Sequence, residues 1–142
     1  MTETIRIGGL ELEFLHSKED TDASVDVFRM TVEPNARVPV PHYHETWDET
    51  VYGLSGRLAF VMDGKEIVLS PGDSVFIKRG VVHGFNNPFE EPAICLSVLT
   101  PGVLGTTYFR EIAELVASGI PDPVRMKEIM LNHKLIPVLS AA

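Results

Sequence analysis

The sequence predicts an all-β domain, either a sandwich or a barrel, followed by a short helical tail. Between residue 5 and about residue 100, short runs rich in β-branched and aromatic residues alternate with turn residues. Beyond Thr100-Pro101-Gly102 the apolar residues recur every three or four positions instead. With 142 residues, one domain over 1–142 is expected, and it can bury a core without disulfides.

Each β run is bounded by residues that favour turns. Asp63-Gly64 is typical of a two-residue type I′ hairpin, which predicts that the runs on either side of it pair antiparallel. The barrel is expected over about 5–100. The predicted strands are Ile5–Phe14, Val25–Glu33, Val38–His44, Glu49–Leu54, Arg57–Met62, Glu66–Leu69, Ser74–Ile77, His83–Asn86 and Ala93–Leu99.

The tail, about 104–135, contains two predicted helices. The apolar spacing predicts the first over Thr107–Ser118, ending near Gly119. Asp122 as N-cap and Pro123 in the first turn begin the second, which runs to about His133. Because this tail is too short for its own core, we expect it to pack on the outside of the β-layer or against a second subunit.

Composition excludes some classes of partner. The formal net charge of -8 repels nucleic acid and anionic membrane surfaces. The single cysteine, Cys95, allows no disulfide within the chain, and its apolar surroundings indicate a buried residue. The N-terminus lacks the features of a signal peptide, so a cytoplasmic location is expected. Exposed strand edges together with the helical tail favour a homodimer.

Histidines and carboxylates suggest a metal site. His42 and His44 lie two apart on a predicted strand, so their side chains share one face, with Cα atoms about 6.6 Å apart. Two imidazoles so placed can bind one ion. Glu49 lies five residues beyond His44, so on one continuous strand it would point to the other face. It can share the face of the histidines only if the intervening residues form a loop. Asp48 would replace it if that loop were one residue shorter. His83 begins another strand much later in the chain.

These residues fall into two spaced motifs. The first has the pattern HxH(x)3-4E(x)6G and the second follows G(x)5PxG(x)2H(x)3N, with Ala36 and Lys78 at positions where glycine and proline are usual. The sequence resembles the small single-domain cupins, and is similar to the quercetin dioxygenase-like cupins. The matching residues are His42, His44, Glu49, Gly56, Gly72, Gly80, His83 and Asn87.

The resemblance implies an antiparallel jelly-roll β-barrel holding one divalent ion on His42, His44, Glu49 and His83. Borderline ligands of this kind suit Fe(II), Mn(II), Ni(II), Cu(II) or Zn(II) without choosing among them. Glu49 is the candidate catalytic residue, since a carboxylate at the metal can also take a proton from a substrate.

The substrate pocket is expected to include Phe85, Val51 and Trp47. Phe85 shares the inward face of His83, although it could equally be barrel core. Val51 shares the face of Glu49. Trp47, with Tyr43, is expected either at the mouth of the site or exposed against a neighbouring chain. Arg29 and Arg57 are candidate anion anchors.

Three functions are open at this stage. The first is a metal-dependent dioxygenase acting on a small molecule. The second is a metal-dependent isomerase or lyase acting on a sugar or keto acid. The third is a non-catalytic cupin in which a metal or small ligand only stabilises the barrel. The barrel alone cannot separate these functions, because different activities share the fold.

Overall fold

A computed structural model describes residues 2–138 of the chain. It contains antiparallel strands and two helices in an antiparallel jelly-roll barrel, which confirms the predicted fold class. The strands are β1 (Glu3–Ile7), β2 (Leu10–His16), β3 (Asp26–Val32), β4 (His42–His44), β5 (Asp48–Ser55), β6 (Leu58–Met62), β7 (Lys65–Leu69), β8 (Ser74–Ile77), β9 (His83–Asn86), β10 (Ala93–Thr100) and β11 (Leu135–Pro137). The helices are α1 (Thr107–Ala117) and α2 (Pro123–Asn132).

Two sheets form the barrel. One has the strand order β1-β2-β3-β10-β5-β8, and the other has the order β11-β4-β9-β6-β7. Alternation of buried and exposed residues is clear on β3 and β10, where every second side chain points into the core. Fully buried side chains such as Leu12, Phe60 and Ile77 come from both sheets, so the core lies between them.

The strand boundaries match the predictions closely in the middle of the chain. β8 and β9 have the predicted bounds, and Asp63 and Gly64 have positive φ of 51° and 80° in the turn that joins β6 to β7. The single strand predicted over Ile5–Phe14 is wrong, because it is a hairpin of β1 and β2. Gly8, with φ of 56°, makes its turn.

The helical tail does not pack on the outer surface as expected. Tyr108 and Ile112 of α1 are buried. The ring centroid of Phe109 lies 5.6 Å from that of Phe14 and 5.4 Å from that of Phe28. Phe14 and Phe28 are core residues of β2 and β3. The tail therefore covers one end of the barrel core, where the apolar side of α1 contacts core residues of β2 and β3.

Two motif residues fix connections between strands. The amide of Asn87 donates to the carbonyls of Val32 at 3.0 Å and Glu91 at 2.8 Å, and the residue is 1% exposed. Gly56 has φ of 67°, and a Cβ there would lie 2.2 Å from the carbonyl oxygen of Pro92. Both residues therefore have structural roles. Among residues 2–138, no helix is long and apolar enough to cross a membrane.

Candidate metal centre and its cavity

Three buried histidines meet inside the barrel. His42 and His44 lie on β4, and His83 lies on the neighbouring strand β9, directly opposite His42. Each of the three offers a ring nitrogen within 4.8 Å of the others. The sequence predicted that His42 and His44 share a face, and the antiparallel pairing of β4 with β9 brings the distant His83 beside them.

Hydrogen bonds orient two of the rings. The Nδ1 atoms of His42 and His83 lie 2.8 Å and 2.9 Å from the carbonyl oxygens of Val40 and Val81. Since a carbonyl only accepts, each Nδ1 carries the proton and each Nε2 keeps a free lone pair. That lone pair is what a metal ion needs.

Packing rather than a hydrogen bond holds the ring of His44. The indole of Trp47 stacks on it with centroids 4.5 Å apart and planes at 17°. Neither Nδ1 of His44 nor Nε1 of Trp47 has a hydrogen-bond partner among the described residues. Trp47 is 0% exposed, so it lies neither at the mouth of the site nor on the surface, but buried against the ring of His44.

Glu49 approaches from the opposite sheet. It lies on β5, and its Oε1 is 3.8 Å from Nε2 of His44. On one continuous strand, Glu49 and His44 would point to opposite faces. They face each other here because β4 and β5 belong to different sheets whose inner faces are opposed across the barrel. Asp48, the alternative ligand, instead binds Arg79 through two side-chain contacts of 3.1 Å and is not brought to the site.

The electrostatics of the pocket suit a cation. Burial, with a smaller contribution from the charge of His83, lowers the pKa of His42 to about 4 and that of His44 to about 2. Burial also lowers the pKa of His83. All three imidazoles are therefore neutral at pH 7, which is the form that binds metals.

Glu49 shows the complementary effect. Burial raises the pKa of this carboxyl to about 7, against a smaller opposing influence of the Ser97 hydroxyl, which itself makes no hydrogen bond of normal geometry. A carboxylate with so little solvation is stabilised by a cation beside it. The donor set therefore fits a divalent transition metal ion, with the three histidines at its centre and Glu49 facing them.

A cavity of about 330 Å³ leads from these residues to the helical tail. Its walls are almost entirely apolar. Phe85 lines it, as expected, whereas Val51 and Trp47 are buried in the core and do not line it. The polar residues in its lining are Arg37, the three histidines, Glu49 and Tyr108.

The exposed residues of the lining fall in two segments, which therefore form the mouth. One is the loop 37–40 before β4, and the other is the turn 120–123 between the two helices. The sequence interpretation missed both. Arg37 could have been noticed as a cation five residues before His42, but nothing in the sequence places α1 and α2 over the barrel.

The two arginines proposed as anion anchors lie elsewhere. Arg29 pairs with Glu13 at 3.0 Å, and the guanidinium of Arg57 lies 4.0 Å from the ring centroid of Phe89. Neither lines the cavity. The remaining histidines are also separate from the centre. His16 is exposed beside Asp20, and His133 caps the end of α2.

Comparison with known proteins decides the family. The cupin domain family matches residues 28–99, which include every residue of the two motifs. The chain belongs to the cupin family. As a cupin it has three histidines positioned for a metal ion, inside a fold whose members bind small molecules.

Relatives of this cupin have diverse activities. Quercetin 2,3-dioxygenase of Bacillus subtilis is 32% identical over 97 residues, covering 66% of this chain but only 28% of that enzyme. The structure of the polyketide cyclase RemF from Streptomyces resistomycificus aligns with a TM-score of 0.59 and 28% identity, over 70% of this chain and 72% of the cyclase. A sugar phosphate isomerase from Silicibacter pomeroyi aligns with a TM-score of 0.60 and 29% identity, over 70% of this chain and 71% of the isomerase.

Proposed function

We propose that this cupin is a metal-dependent enzyme of dioxygenase type that acts on an apolar small molecule. His42, His44, His83 and Glu49 would hold one divalent ion. The observation that carries the proposal is the position of three neutral imidazoles and one carboxyl within an apolar cavity. A redox-active divalent ion bound there supplies Lewis acidity and the electron transfer that dioxygen chemistry requires.

The chain itself contributes a base and a dry binding site. As a carboxylate beside the bound ion, Glu49 can accept a proton from an enol or phenol hydroxyl of the substrate. Phe85, on the strand that also provides His83, offers an aromatic wall against which a planar substrate can pack. The apolar lining excludes water, which strengthens the interaction between Glu49 and a substrate proton.

A second candidate is metal-assisted isomerisation or lyase chemistry. Glu49 favours it, because proton transfer next to a carbonyl needs a base of this kind. The cavity wall disfavours a sugar, whose hydroxyl groups would lose their hydrogen bonds to water without finding replacements. The substrate of such an enzyme would have to be an apolar keto acid. In a purely binding cupin, the same residues would hold a ligand without turnover.

The test begins with metal analysis of protein purified without added metal. Oxygen consumption is then measured with flavonols, catechols and 1,3-diketones after reconstitution with Fe, Mn, Ni or Cu. We expect substrate-dependent oxygen consumption with at least one metal. The His83→Gln variant should show no such oxygen consumption. The matched control is His16→Gln, because His16 is exposed and outside the cavity. Metal binding without oxygen consumption under all four metals would overturn the dioxygenase proposal.

We also propose that the protein is a homodimer. The outer face of the larger sheet exposes Tyr52, Leu54 and Phe76 on the adjacent strands β5 and β8, with exposed fractions of 44%, 42% and 59%. Apolar side chains grouped on one sheet face are typical of an interface. Light scattering should give twice the mass of the chain, and a mass of one chain at micromolar concentration would contradict the proposal.

A further inference from the structure

The mouth of the cavity carries one arginine whose side chain has no partner. Arg37 is exposed, lines the cavity, and makes no ion pair or side-chain hydrogen bond within residues 2–138. It lies in the loop that leads into β4, where the exposed Val40 also lines the mouth. Its guanidinium is therefore placed where a ligand enters.

The other arginines of the chain are all engaged. Each has an acidic partner or an aromatic ring beside its guanidinium, and none lines the cavity. The pairs are Arg6 with Glu11, Arg29 with Glu13, Arg57 with Phe89, Arg79 with Asp48, Arg110 with Glu3, and Arg125 with Glu128. Arg37 is thus the exception, and among residues 2–138 it is also the only lysine or arginine in the lining.

Within residues 2–138, no other lysine or arginine lines the cavity. The three histidines are buried, whereas Arg37 is exposed. Tyr108 is 5% exposed, makes no hydrogen bond to any described residue, and burial raises its pKa, so it stays a neutral hydroxyl. The cavity therefore has an apolar body, one neutral hydroxyl on its wall that can donate or accept a hydrogen bond, and one cation at its mouth.

We propose that the cavity binds an apolar organic anion, a carboxylic acid with a ring-containing body, whose carboxylate pairs with Arg37. The body extends inward between Phe85 and α1 towards the three histidines. This inference deepens the proposed function and rests on it for the chemistry at the inner end. One guanidinium matches one carboxylate in a two-point contact, whereas a doubly charged phosphate would meet the net charge of -8 with no second cation beside Arg37.

The volume agrees with this class of ligand. A cavity of about 150 Å³ holds one benzene ring, so about 330 Å³ accommodates a body of two fused rings. Burying such a body provides affinity without orientation, because the apolar walls make no directional contacts. Arg37 supplies the orientation, and the end of the molecule remote from the carboxylate reaches the metal centre.

The test compares 2-naphthoate with 2-naphthamide, which share one ring system and differ in charge. Calorimetry is done on the protein as purified and after treatment with a chelator. We expect naphthoate to bind roughly tenfold more tightly than naphthamide in both preparations, because only naphthoate carries a charge that pairs with the guanidinium of Arg37. Arg37→Gln should remove the preference while leaving naphthamide binding unchanged.

Arg57→Gln is the matched control, because Arg57 is exposed but outside the cavity. The Arg57→Gln protein should keep the wild-type preference for naphthoate. Raising the salt concentration should weaken the wild-type preference, since an exposed pair is screened. Absence of naphthoate binding, an equal affinity for both probes, or a preference that survives Arg37→Gln would each overturn the inference. The last result would mean that the carboxylate binds elsewhere, such as at the metal.

This outcome is separable from that of the proposed function. If the chelated protein keeps an Arg37-dependent preference while no metal supports turnover, the enzyme proposal fails and the ligand class stands. If turnover occurs with neutral flavonols and Arg37→Gln has no effect on naphthoate binding, the ligand class fails and the enzyme proposal stands.

Discussion

Replacing Glu49 with glutamine should stabilise the metal-free protein at alkaline pH. Burial raises the pKa of Glu49 from 4.5 to about 7, so the folded state holds the proton more tightly than the unfolded state does. Stability from the neutral carboxyl is fully present below pH 4.5 and is lost as the pH rises through about 7. Glutamine has nearly the same shape and no charge, and should remove this loss.

The size of the effect follows from the pKa. A rise from 4.5 to about 7 corresponds to a limit of about 3.5 kcal/mol at about 1.4 kcal/mol per pKa unit, approached only well above pH 7. Solvent screens this little, because the side chain of Glu49 is only 15% exposed. At pH 8 the Glu49→Gln variant should therefore exceed the wild type by about 3 kcal/mol, and at pH 5 by less than about 1 kcal/mol.

Urea unfolding of chelator-treated protein at pH 5 and pH 8 measures both values. Fluorescence reports the transition through Trp47, the chain's one tryptophan, which is fully buried. The control is Glu45→Gln, an exposed acid in the same segment, which should change stability equally little at both pH values. With zinc added, the wild type should become more stable than Glu49→Gln, because the carboxylate of Glu49 would bind the ion and glutamine would not. A metal-free variant no more stable than the wild type at pH 8 would refute the reasoning.

Other substitutions test the surroundings of the site. Asp48→Asn should leave metal affinity within about twofold of wild type, by calorimetric titration with zinc, because Asp48 binds Arg79 and not the metal centre. Asn87→Ala should cost about 2 kcal/mol in urea unfolding, since it leaves the carbonyls of Val32 and Glu91 without their partner. Gly56→Ala should lower the yield of folded protein and the melting temperature, measured by circular dichroism, because the new Cβ would collide with backbone and φ is positive. A zinc affinity that changes by much more than about twofold in Asp48→Asn, or values near wild type for Asn87→Ala or Gly56→Ala, would contradict the contact concerned.

The sequence predicted the parts of this cupin whose signals are local. Asp63-Gly64 specifies its own hairpin, and the period-2 spacing of His42 and His44 determines that both face one way. His42, His44 and His83 were singled out because they occupy histidine positions of two spaced motifs, and the structure brings these three together. Asp122 as the N-cap of α2 is similarly local, since its side chain accepts from the amide of Val124.

What the sequence did not predict depends on long-range packing. The amphipathic pattern of α1 indicates that one face is buried without saying against what, so the closure of the barrel by Phe109 could not be foreseen. Val51 follows the parity expected for the face of Glu49 and is buried, but only Glu49 of the two lines the cavity. Arg37 is conspicuous only once every other arginine has been seen to have a partner.

The short strand β11 connects the two halves of this molecule. It follows α2 and pairs with β4 over three residues, with Leu135 opposite His44 and Pro137 opposite His42, whereas β4 is paired with β9 at a single position. Most of the lateral support of β4 thus comes from the segment that also carries the helices. A fluctuation that lifts the helices from the barrel mouth should also loosen the backbone of His42 and His44. Entry to the cavity and rigidity of the centre are therefore coupled, and amide hydrogen exchange in β4 and β11 should slow together when metal binds.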